Sequence, residues 1–479
     1  MRIAQASPNF LLDNSYAGLP ERFYARQVPT PVVDPRVVRI NTDLAVTLGI
    51  NPVALTADLL AGNRVPAGST PIAQAYSGHQ FGQFSPVLGD GRAVLLGEIV
   101  APDGRRYDMQ LKGSGRTPFS RGGDGRAALG PVLREYIMGE AMHALGVPTT
   151  RGLAVVTTGQ PVFRETALPG AILTRIASSH LRVGTFQYFA SQGDTDGVRL
   201  LADYAIARHY PDCAGDYAAF LRGVVARQAE LVARWMLVGF IHGVLNTDNV
   251  AISGETIDYG PCAFMDSYDP GTVFSSIDEA GRYAYGNQPR IGGWNLTRFA
   301  ETLLPFLAPT QEDAIDVATS AIADYGVRFE AMYLDGLRRK IGLQTMRDGD
   351  DDLVQDLLRH MQETGADWTL TFRALADAAS GEDGPATLSD VWTSAWHARL
   401  AIEPQPDRPA AMRAVNPLYV PRNHLVEAAL TAAVHHGDFE PFETLLDVLA
   451  HPFEERSGFE RFTLPPLSDQ LVLSTFCGT

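Results

Sequence analysis

The sequence predicts an α+β fold in which a strand-rich front half is followed by a helical back half. Short apolar runs bounded by Gly and Asp occur between residues 84 and 176, which is typical of strands. From about residue 199, apolar residues recur at three- and four-residue steps, which indicates helices. Polar, glycine-rich loops lie at the junction, so we expect the chemistry there.

The first predicted strands form a hairpin. The glycine-containing stretch 89–92 is expected to be a turn between two strands, and an apolar run follows it. After a second turn signal at 103–104, residues 107–111 alternate between polar and apolar side chains. We therefore expect these last two strands to pair.

A helix is predicted next, after a glycine-rich polar loop at residues 113–130. Pro131 suits the first residue of a helix, and apolar side chains then recur every four residues to about residue 145. Residues 151–176 return to a strand-like pattern.

The back half is predicted to be mainly helical. One long apolar pattern ends near Gly239, where glycine can terminate a helix. The chain is then expected to be loop-rich through 287–296 and helical to about residue 452, with breaks at 347–352 and 380–386.

Composition narrows the class of protein. The chain has 479 residues, and 39 basic and 55 acidic side chains give a net charge of −16. We therefore expect no non-specific binding to nucleic acid or to anionic membranes. Three cysteines at unrelated spacings indicate neither a disulfide framework nor a zinc site. Without a signal-like start or a membrane-spanning stretch, a cytoplasmic location is expected, or a mitochondrial one for a eukaryotic source.

The most informative motif is HGVLNTDN, residues 242–249, which is followed by DYG. It is close to the protein-kinase catalytic loop H-R-D-x-x-x-x-N and its metal-binding D-F-G. Asn249 and Asp258 supply oxygens that suit a hard divalent ion holding nucleotide phosphates. Val244 occupies the place of the kinase base and cannot accept a proton, so Asp248 is the nearest candidate base. The alternative is a set of turn residues beside a buried structural histidine.

The order of strands, loop, helix, strands and helices around this motif predicts a two-lobed, protein-kinase-like fold. We expect four segments: an N-terminal extension at 1–65, a strand-rich nucleotide-binding lobe at 66–190, a helical lobe with the catalytic and metal loops at 191–310, and a C-terminal helical extension with a cysteine-containing tail at 311–479.

Phosphate-binding candidates lie in the front half. Backbone amides of 89–92 could approach phosphate oxygens, although an ordinary hairpin turn is the alternative. Lys112 resembles the kinase lysine that binds phosphates and pairs with a helix glutamate, and a solvated lysine is the alternative. Its partner could be Glu135 or Glu140, and spacing alone does not choose.

Five arginines are further candidates. Arg116, Arg121 and Arg126 lie in the glycine-rich loop, which could fold over a polyphosphate or be a mobile surface loop. Arg175 and Arg182 have apolar neighbours, and a half-buried arginine usually has an anionic partner, here an ion-pair carboxylate or a phosphate.

Taken together, these motifs resemble the selenoprotein O family of kinase-like proteins. The resemblance runs from about residue 10 to the C-terminus, and it is strongest at 76–98, 111–136, 174–190, 242–270 and 416–430.

The resemblance implies a protein-kinase-like fold that binds ATP in a flipped orientation. It implies transfer of AMP to Ser, Thr or Tyr hydroxyls of proteins with release of pyrophosphate, using Mg²⁺ or Mn²⁺, and UMP transfer from UTP is attributed to bacterial members. Carried onto this chain, it implies nucleotide contacts from Gly89, Gly91, Arg92, Lys112, Asp124, Gly125, Arg175, Arg182 and Asp258.

The resemblance also assigns the remaining roles. It implies that Glu135 pairs with Lys112, that Asn249 and Asp258 hold the metal, and that Asp248 accepts the proton of the acceptor hydroxyl.

A redox role is implied for the tail. Family members end with a selenocysteine or cysteine three residues from the C-terminus, and Cys477 occupies that place. The resemblance suggests a disulfide to a cysteine near the metal loop, for which Cys262 is the nearby candidate. The alternative is a free tail thiol and a packed Cys262.

Three functions are therefore weighed. A protein adenylyltransferase leads; a γ-phosphoryl transferase using Asp248 and a non-catalytic pseudokinase scaffold are the alternatives. Val244 disfavours the phosphoryl transferase. Lys112, Asn249 and Asp258 disfavour the scaffold, since a scaffold has no need of metal ligands.

Overall fold

The structure, a computed structural model, describes residues 11–381, 385 and 387–476 of the chain. Its strands are β1 Tyr24–Arg26, β2 Arg36–Ile40, β3 Ile72–Gln74, β4 Gly78–Gln80, β5 Gln83–Ser85, β6 Ala93–Val100, β7 Arg106–Lys112, β8 Ala127–Ala128, β9 Arg151–Phe163, β10 Ala167–Ala177, β11 Phe240–Ile241 and β12 Ala263–Phe264. The front half is thus rich in strands, as predicted.

Helices dominate the remainder. They are α1 Thr42–Thr47, α2 Ala57–Leu60, α3 Leu129–Ala144, α4 Val183–Ala190, α5 Thr195–His209, α6 Tyr217–Val238, α7 Gln288–Leu307, α8 Gln311–Lys340, α9 Asp350–Thr364, α10 Trp368–Ala378, α11 Asp390–Ala401, α12 Arg408–Val415, α13 Asn423–Thr431 and α14 Glu440–Leu449. The α+β prediction is confirmed.

An antiparallel sheet organises the front half. Its strand order is β1-β3-β6-β7-β10-β9-β2, with β8 added on β10. The predicted hairpin is β6–β7, in which Ala93 lies opposite Lys112 and Val100 opposite Arg106. Strands β1 and β2 both lie within the first 65 residues, and they form the two edges of this sheet. The predicted N-terminal extension therefore contributes strands to the sheet. The boundary at residue 65 stays a prediction.

The stretch 89–92 lies between β5 and β6, as predicted, but these two strands do not pair with each other, so the alternative of an ordinary hairpin turn is wrong. The preceding strand, β5, pairs with β4 in a separate two-stranded sheet. The two glycines serve close packing instead. A Cβ on Gly89 would collide with the Phe119 ring, and one on Gly91 would lie 2.8 Å from the Phe119 carbonyl oxygen. The glycine-rich loop can therefore pack directly on the start of β6.

Helix α3 begins at Leu129, two residues before its predicted start. Pro131 lies in the first turn, where a missing backbone N–H leaves no intrahelical bond unmade. The predicted apolar positions Leu133, Ile137 and Ala141 are buried. The four-residue apolar spacing therefore predicted the helix correctly. Pro131 indicated the first turn of the helix but not the residue at which the helix begins.

The C-terminal helices hold α3 in place. Besides contacting β9 and β10, α3 packs against α13 and α14. The Arg134 guanidinium pairs with Glu427 of α13, and the Tyr136 ring centre lies 5.9 Å from that of Phe442 of α14. The last helices of the chain thus support the helix that carries Glu135.

Two helix ends test the glycine signals. Helix α6 ends at Gly239 with φ of +74°, as predicted. The loop prediction for 287–296 is wrong, because α7 begins at residue 288. Pro289 stands in its first turn, where proline is tolerated, and Gly292 and Gly293 lie against Tyr325 of α8. These glycines allow α7 and α8 to pack closely. Composition alone does not distinguish glycines with this role from glycines in a loop.

The predicted breaks among the later helices separate α8 from α9 and α10 from α11. The first break begins and ends earlier than expected, since α8 ends at Lys340 and α9 begins at Asp350. Residues 382–384 and 386 of the second break lie outside the described residues. Within the described part of the chain, none of the helices combines the length and apolarity of a membrane-crossing segment.

The contact between α7 and α8 gives a test of packing. Adding a Cβ at Gly292 would push against the Tyr325 hydroxyl, whereas Gly326 has nothing within 4 Å of such an atom. We expect Gly292→Ala to lower the free energy of unfolding by about 1–3 kcal/mol through overpacking. The control, Gly326→Ala, should raise it by up to about 1 kcal/mol through helix propensity. Urea unfolding followed by circular dichroism measures both, and equal effects would contradict the packing.

Candidate active site

A cleft of about 800 Å³ opens at the junction of the sheet, α3 and the loops that follow α6. It brings together all the nucleotide, metal and proton-acceptor positions predicted in the described part of the chain. These are Gly89, Gly91, Arg92, Lys112, Asp124, Gly125, Glu135, Arg175, Arg182, Asp248, Asn249 and Asp258.

Asp258 lies at the centre of a cluster of cations. Its Oδ1 accepts hydrogen bonds from Lys112 Nζ at 2.7 Å and from an Arg175 guanidinium nitrogen at 2.6 Å. Its Oδ2 accepts one from Arg182 at 2.6 Å. Although burial alone would raise it, these three cations hold the pKa of Asp258 well below its usual range. Asp258 therefore stays ionised at neutral pH.

The backbone of Asp258 is unusual. Its φ is +63°, in the left-handed region that a non-glycine residue rarely adopts. Strained backbone of this kind persists where the surroundings fix it, and here three ion pairs do so.

Of the two candidate partners of Lys112, only Glu135 contacts it. Its Nζ lies 2.6 Å from Glu135 Oε2. Glu140 turns away and pairs with Arg151 at 2.6 Å, and it also accepts the backbone N–H of Gly152. The structure therefore places Glu135, and not Glu140, beside Lys112.

Besides Asp258, three side chains hold Arg175 in place. It lies opposite Gln110 on the neighbouring strand and donates to the Gln110 side-chain oxygen at 2.6 Å. It also pairs with Glu135 at 3.0 Å. Its Nε donates to Nε2 of His180, whose Nδ1 lies 2.9 Å from Asp108. Burial lowers the pKa of His180 to about 4, so its ring is neutral and Nε2 can accept.

Arg182 connects the sheet side of the cleft to the catalytic loop. It is the N-cap residue of α4, and it donates to the backbone oxygen of Asp248 at 2.9 Å. Its guanidinium carbon lies 4.6 Å from the Tyr76 ring centre, which is a cation–π contact. Its nearest distance to Asp90 is 4.0 Å, and burial raises the pKa of Asp90 to about 6.

His242 has a structural role, as in the alternative interpretation of the motif. It is fully buried, its Nε2 donates to the backbone oxygen of Ile257 at 3.0 Å, and its ring packs on Trp235. It joins the catalytic loop to the residue before Asp258. Asn249 donates its side-chain N–H to the Val244 backbone oxygen at 2.8 Å, which leaves Asn249 Oδ1 as an acceptor.

Asp248 is a buried carboxyl group on the lining of the cleft. Its Oδ2 accepts a hydrogen bond from Gln80 at 3.1 Å, and Oδ1 has no hydrogen-bond partner among the described residues. Burial raises the pKa of Asp248 to about 6. A carboxyl group with an unused oxygen and a raised pKa is suited to accept a proton near neutral pH.

A divalent cation would depend on few protein ligands. Among the described residues, no group of three or more His, Cys, Asp or Glu side chains is arranged to hold a metal. Asn249 Oδ1 and the Asp258 carboxylate are hard oxygen donors, and Mg²⁺-type ions are commonly held by one or two such groups plus substrate phosphates. The donor set therefore fits a metal that arrives with a nucleotide.

The glycine-rich loop folds over the cleft. Arg121 and Arg126 line the cleft, whereas Arg116 donates to the backbone oxygen of Gly123 within the loop itself. Asp124 pairs with Arg164 at 2.9 Å. The loop is thus held by a hydrogen bond within itself and by the ion pair of Asp124 with Arg164, which lies outside the loop.

The C-terminal tail reaches the same region. The Thr475 N–H donates to the Phe274 oxygen at 2.7 Å, and the Thr475 hydroxyl donates to the Pro261 oxygen at 2.6 Å. Phe476 lines the cleft, and Cys262 is buried. Cys477 lies outside the described residues, so the disulfide between Cys262 and Cys477 stays a prediction.

Four residues of the site were not named as candidates from the sequence: Tyr76, Gln80, Asp90 and His180. Tyr76, Gln80 and Asp90 lie in the stretch 76–98 that carries the family resemblance, which was the available signal. His180 stands between Arg175 and Arg182 in the chain, but nothing local indicates its bond to Asp108.

Comparisons with known proteins identify the family of this chain. The family model described as protein adenylyltransferase SelO matches residues 9–450. A protein nucleotidyltransferase YdiU from Bradyrhizobium diazoefficiens is 59% identical, covering 98% of this chain and 99% of its own length. Proteins of the same name from Rhizobium etli and Methylorubrum populi are each 58% identical over 98% of this chain, and over 97% and 99% of their own lengths.

These relatives are bacterial, and they give no support to the mitochondrial location expected for a eukaryotic source. The match extends over nearly the whole chain and includes every residue of the cleft from Tyr76 to Tyr259. The chain belongs to the SelO family of protein adenylyltransferases.

Proposed function

We propose that this protein transfers AMP from ATP to Ser, Thr or Tyr hydroxyls of proteins and releases pyrophosphate. The observation that carries the proposal is the convergence of Lys112, Arg175 and Arg182 on Asp258, beside the buried Asp248. Three cations in one cleft suit a polyphosphate, and the similar bacterial proteins are named protein nucleotidyltransferases.

In the proposed complex the three cations leave Asp258 for the β- and γ-phosphates. All three already point at one carboxylate, so they need little rearrangement to hold an anionic leaving group. The α-phosphorus then faces the side of the cleft where Asp248 lies. The three cations stabilise the negative charge that develops on pyrophosphate as its bond to the α-phosphorus breaks.

The same exchange releases Asp258 for metal binding. With its oxygens no longer paired to arginine and lysine, Asp258 together with Asn249 would hold Mg²⁺ or Mn²⁺. When bound, such a cation supplies additional positive charge for the phosphates.

Asp248 is the proposed proton acceptor. The acceptor hydroxyl gives its proton to the Asp248 carboxylate while its oxygen forms a bond to the α-phosphorus. Gln80 holds Oδ2 of Asp248, and Arg182 holds its backbone oxygen, so the carboxylate is fixed before the acceptor arrives. Val244 lines the cleft but offers no such chemistry.

The alternatives fit the geometry less well. A γ-phosphoryl transferase would place the γ-phosphate of ATP beside Asp248. In the proposed complex the three cations instead hold the γ-phosphate away from Asp248. A non-catalytic scaffold would not need Asp258 in a strained backbone conformation or a buried carboxyl at position 248.

Labelled ATP separates these functions. With ATP labelled at the α-phosphate, we expect label in the acceptor protein, and with ATP labelled at the γ-phosphate we expect none, because pyrophosphate leaves. Gel autoradiography measures both. Label from the γ-position alone would overturn the proposal. The same assay with α-labelled UTP decides whether adenosine or uridine is preferred.

Removing the central carboxylate should separate binding from chemistry. We expect Asp258→Ala to lower AMP transfer by at least about a hundredfold, since the metal loses a ligand. In EDTA, the same variant should bind ATP at least as tightly as the wild type, because the carboxylate no longer competes for the three cations. The matched control is Asp356→Ala, an exposed carboxylate on α9. Transfer at the wild-type rate with Mg²⁺ would show that Asp258 holds no essential metal.

The role of Asp248 predicts a pH dependence. The ionised form is the active one, so the rate should rise with pH through the pKa, which is about 6 without metal and lower with a cation nearby. Asp248→Asn should lower the rate by about 10²–10⁴-fold and remove this acidic limb. Initial rates of α-label transfer between pH 4.5 and 8 measure both, and an unchanged limb in the variant would assign the limb to another group.

A further inference from the structure

A cluster of arginine and aromatic side chains lies on the surface beside the catalytic loop. We call it the arginine–aromatic patch and define it as His79, Phe84, Arg282, Arg290, Trp294 and Arg298. None of these residues lines the nucleotide cleft.

Trp294 is the centre of the patch. The guanidinium carbons of Arg282 and Arg298 lie 4.8 Å and 5.3 Å from centroids of its ring system. The His79 ring meets Trp294 edge to face at 5.2 Å, and the Phe84 ring centre lies 4.9 Å from that of His79. Stacking on aromatic faces fixes both guanidinium groups in place.

Helix α7 presents three members of the patch at regular spacing. Arg290, Trp294 and Arg298 stand four residues apart, so they follow one another on one face of the helix. Arg290 is exposed, and Trp294 and Arg298 are half-buried. Phe84, on the hairpin of β4 and β5, is 40% exposed. The patch is therefore open to a partner.

The positive charge of the patch is only partly neutralised. Arg298 pairs with Glu301 at 2.5 Å. Within the described part of the chain, neither Arg282 nor Arg290 has a carboxylate within 4.0 Å. The Asp278 carboxylate, four residues before Arg282, accepts the backbone N–H groups of residues 282 and 283. On a chain of net charge −16, such uncompensated arginines indicate an anionic partner.

The patch adjoins the proposed proton acceptor. The backbone N–H of His79 donates to the Thr247 hydroxyl at 2.7 Å, and the next residue, Gln80, bonds Asp248 at 3.1 Å. Consecutive Cα atoms lie about 3.8 Å apart, so the patch begins one residue from the hairpin residue that touches Asp248. A chain with its hydroxyl at Asp248 would have its neighbouring residues at the patch.

We infer that the patch docks an acidic segment of the acceptor protein, whose Asp or Glu residues flank the modified hydroxyl. This inference rests on the proposed function. Arginine forms forked hydrogen bonds with carboxylates, and the exposed Phe84 ring provides apolar contact for the intervening residues. The patch thus selects among acceptors, while the cleft selects the nucleotide.

An acidic protein segment fits the patch better than a nucleic acid does. Nucleic-acid binding draws on extended basic surfaces that follow a phosphate backbone, and this chain carries 16 more acidic than basic side chains. A few arginines around one tryptophan match a short run of carboxylates.

Two synthetic peptides test the inference on the full chain. The acidic probe is fluorescein-labelled AEEYEEA, and the neutral probe is AQQYQQA. We expect the acidic peptide to bind about tenfold more tightly by fluorescence anisotropy, and the difference to vanish in 0.5 M NaCl, since salt screens exposed charges. The α-label assay should show the same preference for transfer to the tyrosine.

Substitutions locate the binding. In Arg282→Gln/Arg290→Gln/Arg298→Gln the preference for the acidic peptide should be lost. The matched control, Arg328→Gln/Arg339→Gln/Arg359→Gln, removes three exposed arginines of α8 and α9 and should keep it. Arg290→Glu is a second variant that tolerates the fold, because glutamate suits the first turn of α7. It should weaken acidic-peptide binding.

The outcomes are distinct. Equal loss in the patch and control variants, or equal binding of the two peptides, would overturn the docking inference. A single-stranded oligonucleotide that binds the patch more tightly than the acidic peptide and displaces it would also overturn it. Patch-dependent peptide binding without α-label transfer would leave docking in place and reject AMP transfer. Transfer of α-label with no preference between the two peptides would support AMP transfer and reject the docking inference.

Discussion

The ionised carboxylate of Asp258 is the point on which the site depends. Two of its cations, Arg175 and Arg182, are almost fully buried, and Lys112 is 12% exposed. Buried charges are costly unless they are paired, so Asp258 and Glu135 together make this arrangement of three cations stable without a ligand. With Asp90 4.0 Å from Arg182, the three cations have three carboxylates near them, and an anionic ligand would compete with these carboxylates for the cations.

The pairing also assembles the fold around the cleft. Lys112 comes from β7, Arg175 from β10, Arg182 from the start of α4, and Glu135 from α3. Each segment reaches its position through the sheet register or through helix packing, and the ion pairs then join them to the loop after α6. Beyond Arg175, the chain of His180, Asp108 and Arg208 continues the network into the protein, with Arg208 at 2.6 Å from Asp108. The active-site cations are thus anchored from behind.

Much of this site was predictable because its cations and carboxylates occur in recognisable local motifs. Glu135 and Glu140 could not be separated, since five residues rotate a helix by about 500°, or about 140° net, and the facing residue depends on how α3 packs. Gln80 and His180 were missed because their partners lie 168 and 72 residues away. The α7 start at 288 was misjudged because proline and glycine serve both helix packing and loops.

The support of α3 by the last helices has a consequence for control. Protein kinases switch activity partly through the position of the helix that carries the glutamate partner of the lysine. Here that helix is wedged between the sheet and the C-terminal helices, with Tyr136 against Phe442 and Arg134 paired to Glu427. Swinging it outward would expose this apolar contact and break the ion pair between the buried Arg134 and the partly exposed Glu427. These contacts with the C-terminal helices oppose such a movement, so they favour the assembled pair of Lys112 and Glu135.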